Sequence, residues 1–288
     1  MYGLVTRNEE ETDWPEFDLS FYEVKGVSGR SSEPIETAVS TISCFGDNAA
    51  VAENPALAPI DPDGRRATRD HEKFDWAHVC PTHEEYRRGL LEMIEDAGAV
   101  SGDVRLDDVG FPRPEYCYCD RCNHAFESWA ERRYSEGNGP PPAETTVEDR
   151  RQWRRSVMTD FVAEATDRIP GRSYLTLYPD PYGRRLYERS GLDLETLSTH
   201  VDAFVVPLYD TAYGTTYWLE AIAAAFEDRV SVPLHVELYA VDVDIDALID
   251  ATAVAAEYAD SVLFGYDGAN ARAALRRMDA DAREGVEW

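Results

Sequence analysis

Lysine is almost absent from this chain. Only Lys25 and Lys73 occur among the 28 lysines and arginines, and 56 aspartates and glutamates bring the formal net charge to -28 over 288 residues. No basic stripe is available to neutralise phosphates, which argues against a nucleic-acid partner. Acidic, lysine-poor surfaces resemble those of proteins from salt-loving organisms, in which concentrated salt screens the self-repulsion. We therefore interpret the charge as an adaptation to the solvent.

Long apolar runs and a secretory signal are also missing. No run of about 18 apolar residues occurs, so no membrane-spanning helix is predicted. The opening MYGLVTRNEEETDW lacks a basic segment followed by an apolar one. We expect a cytoplasmic protein without a membrane partner, and the sequence leaves open whether it forms a homo-oligomer. The content of 43% hydrophobic and 11% aromatic residues predicts a folded domain instead of a disordered acidic chain.

From residue 103 onward, short β-branched and aromatic runs alternate with amphipathic stretches. This alternation predicts parallel strands joined by right-handed helical crossovers. The runs begin apolar and carry a polar or acidic residue near their C-terminal ends, where the active site of a (β/α)8 barrel lies. The predicted strands are 104–111, 174–180, 203–210, 232–239 and 261–268, and the predicted helices are 148–169, 216–229 and 245–260.

Three earlier runs, at 2–6, 19–27 and 39–45, would complete eight strands. Only about a dozen residues separate them, which is too few for a crossover helix each time. We predict an α/β fold, a single (β/α)8 TIM-barrel domain over 1–288, and leave open whether its first three strands are incomplete or distorted. An open barrel or a doubly wound sheet is the alternative. Residues 46–81 form a long loop that we expect to be functional.

Three of the five cysteines form a C-x-C-x-x-C pattern. An odd number of cysteines in an apparently cytoplasmic chain fits a disulfide framework poorly and a metal site well. Four thiolates suit tetrahedral Zn²⁺, and a site closed by four cysteines is structural. Metal-free thiols and a redox pair are the alternatives, and His83 or His124 could replace the upstream cysteine. The predicted ligands are Cys80, Cys117, Cys119 and Cys122.

Three stretches together resemble the family 42 glycoside hydrolases, which are β-galactosidase-like barrels. They are NPALAPIDPDGRR (54–66), CPTHEEYRRGLLEMIED (80–96) and LDDVGFPRPEYCYCDRCNHAFESWA (106–130), and the resemblance covers roughly 45–130. In that family a strand ending in Asn-Glu precedes a C-x-C-x-x-C zinc loop. The resemblance thus implies a zinc-loop segment over 80–130, while 135–146 is predicted from composition to be a surface insertion.

The resemblance implies roles for three acids. Asp107 falls on the Asn of the family's Asn-Glu pair and Asp108 on the general acid/base Glu, while Glu237 lies where the family has its nucleophile. Aspartate is one methylene shorter than glutamate, so the proton donor is repositioned, the substrate is changed or activity is lost. In a permuted arrangement, Asp107 or Asp108 would be the nucleophile and Asp210 or Glu237 the acid.

The residue types around Asp107 and Asp108 also favour a pair of catalytic carboxyl groups at the end of this strand. Glycoside cleavage needs one acid to protonate the leaving oxygen and one carboxylate to attack or to activate water. Two crowded carboxylates raise the pKa of at least one of them, as a general acid requires. In so acidic a chain, most single aspartates and glutamates are solvated surface charges. Arg105 and Arg113 flank the pair formed by Asp107 and Asp108. Candidates for substrate contact at other strand ends are Asp180, Asp210, His235, Asp267, Tyr178, Tyr209, Tyr239 and Tyr266.

We therefore expect an enzyme that hydrolyses O-glycosidic bonds of a carbohydrate at the C-terminal rim of the barrel. One rival interpretation is a sugar-binding barrel that has lost catalysis. The other is a metal-dependent hydrolase or isomerase that uses His235, Asp210 and Glu237 around a divalent ion.

Overall fold

The computed structural model describes residues 1–136, 145–181, 185–210 and 216–284. In these ranges the strands are β1 (Tyr2–Thr6), β2 (Leu19–Gly26), β3 (Gly29–Arg30), β4 (Val39–Ser43), β5 (Val104–Asp107), β6 (Ser173–Thr176), β7 (Ala203–Pro207), β8 (Leu234–Tyr239) and β9 (Ser261–Gly265). The helices are α1 (Asn48–Glu53), α2 (Glu84–Ser101), α3 (Asp120–Glu136), α4 (Val147–Thr166), α5 (Arg185–Ser190), α6 (Leu194–Leu197), α7 (Tyr217–Glu227), α8 (Ile245–Tyr258) and α9 (Gly268–Glu284).

Eight of the strands form a closed parallel barrel. Starting from β1, the order around the ring is β2, β4, β5, β6, β7, β8 and β9, and β1 pairs in parallel with both β2 and β9. The two-residue strand β3 is antiparallel to β2 and lies outside the ring. Because the β1–β2 pairing closes the sheet, the predicted (β/α)8 barrel is confirmed, and the open-sheet and doubly wound alternatives are excluded.

The irregular part of the barrel is its helical layer. Between β1 and β2 lies only the 3₁₀ turn Glu9–Glu11, and between β2 and β4 only β3, so no α-helix backs these two crossovers within the described residues 1–43. The three strands in question are all present and paired. Their one irregularity is a register shift between Glu23 and Lys25, where β2 meets β4. The barrel sheet is thus complete although two crossover helices are missing.

The sequence marks several helix starts with capping side chains. Asp47 accepts a hydrogen bond from the Ala50 N–H at the start of α1, and Thr146 forms a capping box with Asp149 at the start of α4. These side chains satisfy backbone donors that a helix leaves unpaired at its first turn. No helix in the described part of the chain has the length and apolar character needed to cross a membrane. Residues 137–144 of the predicted surface insertion lie outside the described residues.

The barrel interior has an apolar lower layer and a charged upper layer. The lower layer fills the barrel with buried side chains, as barrels of this size require. Its members are Val5, Phe21, Val39, Tyr174, Ala203, Val205 and Leu263. Packing of the outer faces of the strands against the helices forms the main hydrophobic core.

Above the apolar layer, Arg105 and Glu237 form an ion pair in the centre of the barrel. The distance from Arg105 Nη2 to Glu237 Oε2 is 2.6 Å, and the two side chains are 1% and 0% exposed. Arg105 Nε donates to Thr176 Oγ1 at 2.9 Å, and Tyr209 Oη donates to Glu237 Oε1 at 2.5 Å. A Cβ at Gly265 would lie 3.0 Å from Glu237 Oε1, so the glycine leaves room for the carboxylate. Each buried charge is therefore compensated, as its desolvation requires.

Replacing Arg105 with methionine should strongly destabilise the barrel, because Glu237 would keep a buried charge without its cation. We expect the free energy of unfolding, measured by urea denaturation at constant salt, to fall by about 3–5 kcal/mol. Arg168→Met is the matched control, since its pair with Glu95 is 38% and 58% exposed and should contribute less than about 1 kcal/mol. Equal losses of unfolding free energy in the two variants would show that the buried pair contributes no more to stability than the exposed pair does.

Candidate active site

A cavity of about 400 Å³ opens at the C-terminal ends of the barrel strands. Barrel enzymes bind their substrates at this face, and ligand pockets commonly have volumes in this range. Strands β2, β4, β5, β6 and β7 contribute lining residues, and so do the segments that directly follow β1 and β9. The polar and aromatic lining residues are Arg7, Glu23, Lys25, Thr41, Ser43, Trp76, Arg105, Asp107, Asp108, Thr176, Tyr178, Tyr209 and Tyr266.

Asp108 lies on the cavity wall directly after β5. Its φ of 50° is left-handed, a conformation that aspartate tolerates better than most residues. Ser43 Oγ donates to Asp108 Oδ2 at 2.5 Å. A Cβ at Gly46 would lie 2.6 Å from Asp108 Oδ2 and 2.9 Å from Trp76 Nε1. The absence of a side chain at position 46 therefore makes room for both the carboxyl and the indole.

The surroundings of Asp108 favour its protonated form. Burial, together with the negative charge of Asp107, raises the pKa of the Asp108 carboxyl from its ordinary value of 3.8 to about 7. The Ser43 hydrogen bond and the positive charges of Lys25 and Arg105 act in the opposite direction without cancelling this effect. At neutral pH Asp108 can thus both donate and accept a proton, which is the requirement for a general acid/base.

Asp107 ends β5 and lines the same cavity. It is the register partner of Ser43 on β4, and its Oδ1 accepts a hydrogen bond from the Asp108 N–H at 2.8 Å. The two acids predicted from the sequence are therefore adjacent in the cavity and have different hydrogen-bonding environments.

Glu237 lies one layer below the cavity and does not line it. Tyr209 and Arg105, which do line it, are hydrogen-bonded and ion-paired to the Glu237 carboxylate. The Glu237 carboxylate is therefore in contact with two cavity residues without lining the cavity itself.

The other predicted contact residues divide into two groups. Tyr178, Tyr209 and Tyr266 line the cavity, and the guanidinium of Arg189 lies 4.0 Å from the centre of the Tyr178 ring. The described part of the chain places the remaining candidates outside the cavity lining. Those candidates are Asp180, Asp210, His235, Tyr239 and Asp267.

The positions of these outlying candidates have identifiable causes. Asp180 pairs with Arg185 at 3.3 Å and lines a separate cavity beside α5. Asp267 accepts from the Asn270 N–H at 2.9 Å and caps α9. His235 is 4% exposed, packs against Tyr174, and has its pKa lowered to about 4, chiefly by burial.

Two further candidates lie near the cavity. The Tyr239 ring packs behind two cavity tyrosines, with centroids 5.2 Å from Tyr209 and 6.4 Å from Tyr266. Asp210 ends the described segment that follows β7.

Several cavity residues were not predicted from the sequence. Glu23 and Lys25 alternate inward along β2, and Arg7 Nε pairs with Glu23 Oε1 at 2.7 Å. Trp76 comes from the long loop predicted to be functional. One signal was available for Lys25, because a lysine retained inside a strand of so lysine-poor a chain indicates a specific need for an ammonium group.

Three of the four predicted zinc ligands, Cys80, Cys119 and Cys122, meet next to the first turn of α3, and the fourth, Cys117, contacts Cys80. Cys80 Sγ lies 3.9 Å from Cys117 Sγ and 3.3 Å from Cys122 Sγ, and the sulfurs of Cys80, Cys119 and Cys122 all lie within 4.8 Å of one another. These distances exceed the S–S bond of about 2.05 Å in a disulfide. They bracket the spacing of about 3.8 Å between sulfurs that each lie about 2.3 Å from a tetrahedral zinc. The sulfurs of Cys80, Cys119 and Cys122 therefore fit three of the four positions around such an ion, and Cys117 is the neighbouring candidate for the fourth.

The chain is similar to part of two β-galactosidases. It is 25% identical over 114 residues to a β-galactosidase of Thermus thermophilus and 30% identical over 93 residues to one of Halorubrum lacusprofundi. These matches cover 38% and 30% of this chain but only 18% and 13% of the two enzymes, so the chain matches less than a fifth of either. No protein-family model matches it.

Among solved structures, α-L-fucosidase isoenzyme 2 from Paenibacillus thiaminolyticus has a similar fold. Its TM-score is 0.64 at 13% sequence identity, with 98% of this chain and 49% of that chain covered. At this identity the likeness concerns the fold alone. The chain therefore has a fold similar to that of the fucosidase and a local sequence similarity to β-galactosidases.

Asp108→Asn should stabilise the protein at alkaline pH. An acid whose pKa is higher in the folded chain than in the unfolded chain stabilises the fold while it is protonated. This contribution is lost as the pH rises from about 3.8 to about 7. We expect the variant to gain up to about 4 kcal/mol in the free energy of unfolding at pH 8 and little at pH 4. Urea denaturation at both pH values tests this, and a pH-independent difference would contradict it.

Proposed function

We propose that this protein is a glycoside hydrolase-like enzyme that cleaves O-glycosidic bonds with a pair of carboxylates. The observation that carries the proposal is the Asp108 carboxyl, which lines a cavity at the rim of the barrel and has a pKa near neutrality. The partial similarity to β-galactosidases supports the reaction class. Because the match spans only a small share of those enzymes, the substrate is part of the proposal.

Asp108 would act as the general acid. In its protonated form it donates its proton to the glycosidic oxygen as the bond to the anomeric carbon breaks, and the resulting carboxylate then accepts a proton from water. Ser43 and the space at Gly46 hold the carboxyl against the cavity wall, which compensates for the shorter aspartate side chain.

Glu237 would act as the second carboxylate. It attacks the anomeric carbon in a double displacement, or activates a water in a single one. Its ion pair with Arg105 keeps the negative charge in the barrel centre, and the Tyr209 hydroxyl covers the carboxylate in the absence of substrate. Binding of a sugar would have to displace Tyr209 before Glu237 could react.

The polar atoms of the cavity suit a hydroxyl-rich ligand. Thr41 Oγ1, Trp76 Nε1 and Arg105 Nη1 are buried, belong to residues that line the cavity, and have no hydrogen-bond partner among the described residues. A buried donor without an acceptor is costly, and sugar hydroxyls would supply acceptors. The tyrosines and Trp76 add aromatic faces on which the C–H groups of a sugar ring can pack.

The charges of the cavity favour a neutral sugar over an acidic one. Its three cations are already paired, Arg7 with Glu23, Lys25 with Asp47 and Arg105 with Glu237. Asp107 and Asp108, in contrast, form no ion pair with any described residue. An additional carboxylate on the ligand would therefore meet uncompensated negative charge.

The described residues do not favour the rival mechanism based on a catalytic metal. Within them, the cysteine cluster is the one group of three or more His, Cys, Asp or Glu ligand atoms lying within 4.8 Å of each other. Glu237, one of the three ligands that the rival requires, is engaged by Arg105 and Tyr209.

Hydrolysis of a panel of neutral aryl glycosides at high salt tests the proposal. Asp108→Asn and Glu237→Gln should each lower turnover by about 10²–10⁴-fold, because each removes a carboxyl that the bond cleavage requires. Asp250→Asn, an exposed position on α8, is the control. Unchanged turnover in the first two variants would disprove the assignment, and sugar binding without product in the wild-type protein would identify the inactive sugar-binding barrel.

We also propose a structural Zn²⁺ held by Cys80, Cys117, Cys119 and Cys122, which would tie the loop after β4 to the loop after β5. Elemental analysis should find about one zinc per chain, lost in Cys119→Ser together with part of the thermal stability. Cys44→Ser is the matched control, because Cys44 is buried and its Sγ lies 3.5 Å from the Ile42 carbonyl oxygen, outside this cluster. Full zinc content in Cys119→Ser would contradict the proposed site.

A further inference from the structure

Lys25 is a buried lysine in a chain that has only one other. It lies on β2 where the register with β4 shifts, is 4% exposed, and lines the cavity. Burying an ammonium is unfavourable unless each of its donors is satisfied. Its neighbours should therefore explain why a lysine is present here.

The ammonium has three acceptors. Lys25 Nζ lies 2.6 Å from the Ser43 carbonyl oxygen, 3.3 Å from the Gly46 carbonyl oxygen and 3.1 Å from Asp47 Oδ2. The three acceptors match the three N–H donors of an ammonium. All of them belong to the segment 43–47 that follows β4.

The same segment contacts Asp108 directly. Ser43 Oγ donates to Asp108 Oδ2, and Gly46 provides the space for that carboxyl. Asp47 is held in turn by the Tyr86 hydroxyl at 3.0 Å. The 43–47 turn therefore links Lys25 to the Asp108 carboxyl, and no contact in this link is longer than 3.3 Å.

We propose that Lys25 is a positioning residue, whose ammonium fixes the 43–47 turn so that Ser43 and Gly46 hold the Asp108 carboxyl in its working position. Lysine suits this role better than arginine, because a compact ammonium can reach three acceptors in different directions and a planar guanidinium cannot. The catalytic consequence rests on the proposed function, whereas the placement of Asp108 does not.

The charge of Lys25 also reaches Asp108. The ionisable groups around that carboxyl are Asp107 and Arg105 on β5, Lys25 on β2, Cys44 after β4, Tyr86 on α2 and Tyr178 after β6. Lys25 and Arg105 are the cations in this set, and both lower the pKa of Asp108 against the effects of burial and Asp107. Removing the ammonium should therefore raise the pH at which Asp108 titrates.

The test measures Asp108 without any substrate. The free energy of unfolding is compared between each protein and its Asp108→Asn derivative over a range of pH. This difference changes with pH up to the pKa of Asp108 in the folded chain and is constant above it. We call the pH at which the change ends the upper break. In Lys25→Met this break should move upward by about one pH unit. Lys73→Met is the matched control, because Lys73 is 46% exposed and its one ion pair with a described residue is the surface pair with Glu115.

Two further variants separate positioning from folding. If Lys25→Met does not fold, Lys25→Met/Asp47→Asn removes both buried charges and should still move the break upward, by a smaller amount. Lys25→Arg retains the charge but not the geometry. With a glycoside substrate in hand, Lys25→Met and Lys25→Arg should each lower kcat at least tenfold with little change in KM.

A break that stays at the wild-type pH in both Lys25→Met and the double variant would overturn the proposal, even if stability fell. Equal shifts in the Lys25 and Lys73 variants would overturn it as well. Absence of glycoside hydrolysis would refute the proposed function while leaving the titration result to decide the role of Lys25.

Discussion

The ion pair between Arg105 and Glu237 is the constraint on which the rest of the barrel depends. Both charges lie in the centre of the sheet, so the surrounding strands must supply hydrogen bonds in fixed places. Thr176 and Tyr209 do this from β6 and from the end of β7, while Gly265 on β9 leaves the necessary space. The pair separates an apolar plug below from a polar cavity above. In the proposed mechanism, the Glu237 carboxylate would thus serve both the stability of the barrel and the reaction.

Both sides of the Asp108 carboxyl are anchored at a distance from it. On one side, Lys25 tethers the turn that carries Ser43 and Gly46. On the other side, the chain leaves Asp108 and enters the loop that ends in the cysteine cluster, whose sulfurs also bring in Cys80 from the preceding crossover. An acid on a loop is held as precisely as the loop itself. The proposed Lys25 tether and the proposed zinc site would together hold, at the rim of the barrel, a carboxyl whose pKa of about 7 leaves it half protonated at neutral pH.

Much of the fold could be predicted because strand alternation and helix periodicity are local properties. Eight apolar runs, of which the last five carry a polar or acidic residue near their C-terminal ends, were enough for the barrel and for the placement of Asp107 and Asp108. The same rule failed for Asp180 and Asp267, which lie four and two residues beyond the last ladder pairs of β6 and β9, whereas Asp108 lies one residue beyond that of β5. Strand alternation no longer fixes the direction of a side chain at that distance from the ladder. Tyr266, with a φ of 71°, turns the chain so that Asp267 caps a helix instead of facing the cavity. The contacts of Lys25 depend on the path of a distant turn, so no local pattern encodes them.

The two missing crossover helices give the barrel unequal walls. On the side of β1 and β2, the cavity is bounded by Glu23 and Lys25 on β2 and by Arg7 directly after β1, and the connections on this side are short. On the side of β4, a loop of more than thirty residues folds over the rim and brings in Trp76. Lengthening the short connections would reshape the entrance without touching Asp108, Glu237 or the cysteine cluster. The side of the barrel formed by β1 and β2 is therefore where the ligand preference can change while the proposed catalytic residues are retained.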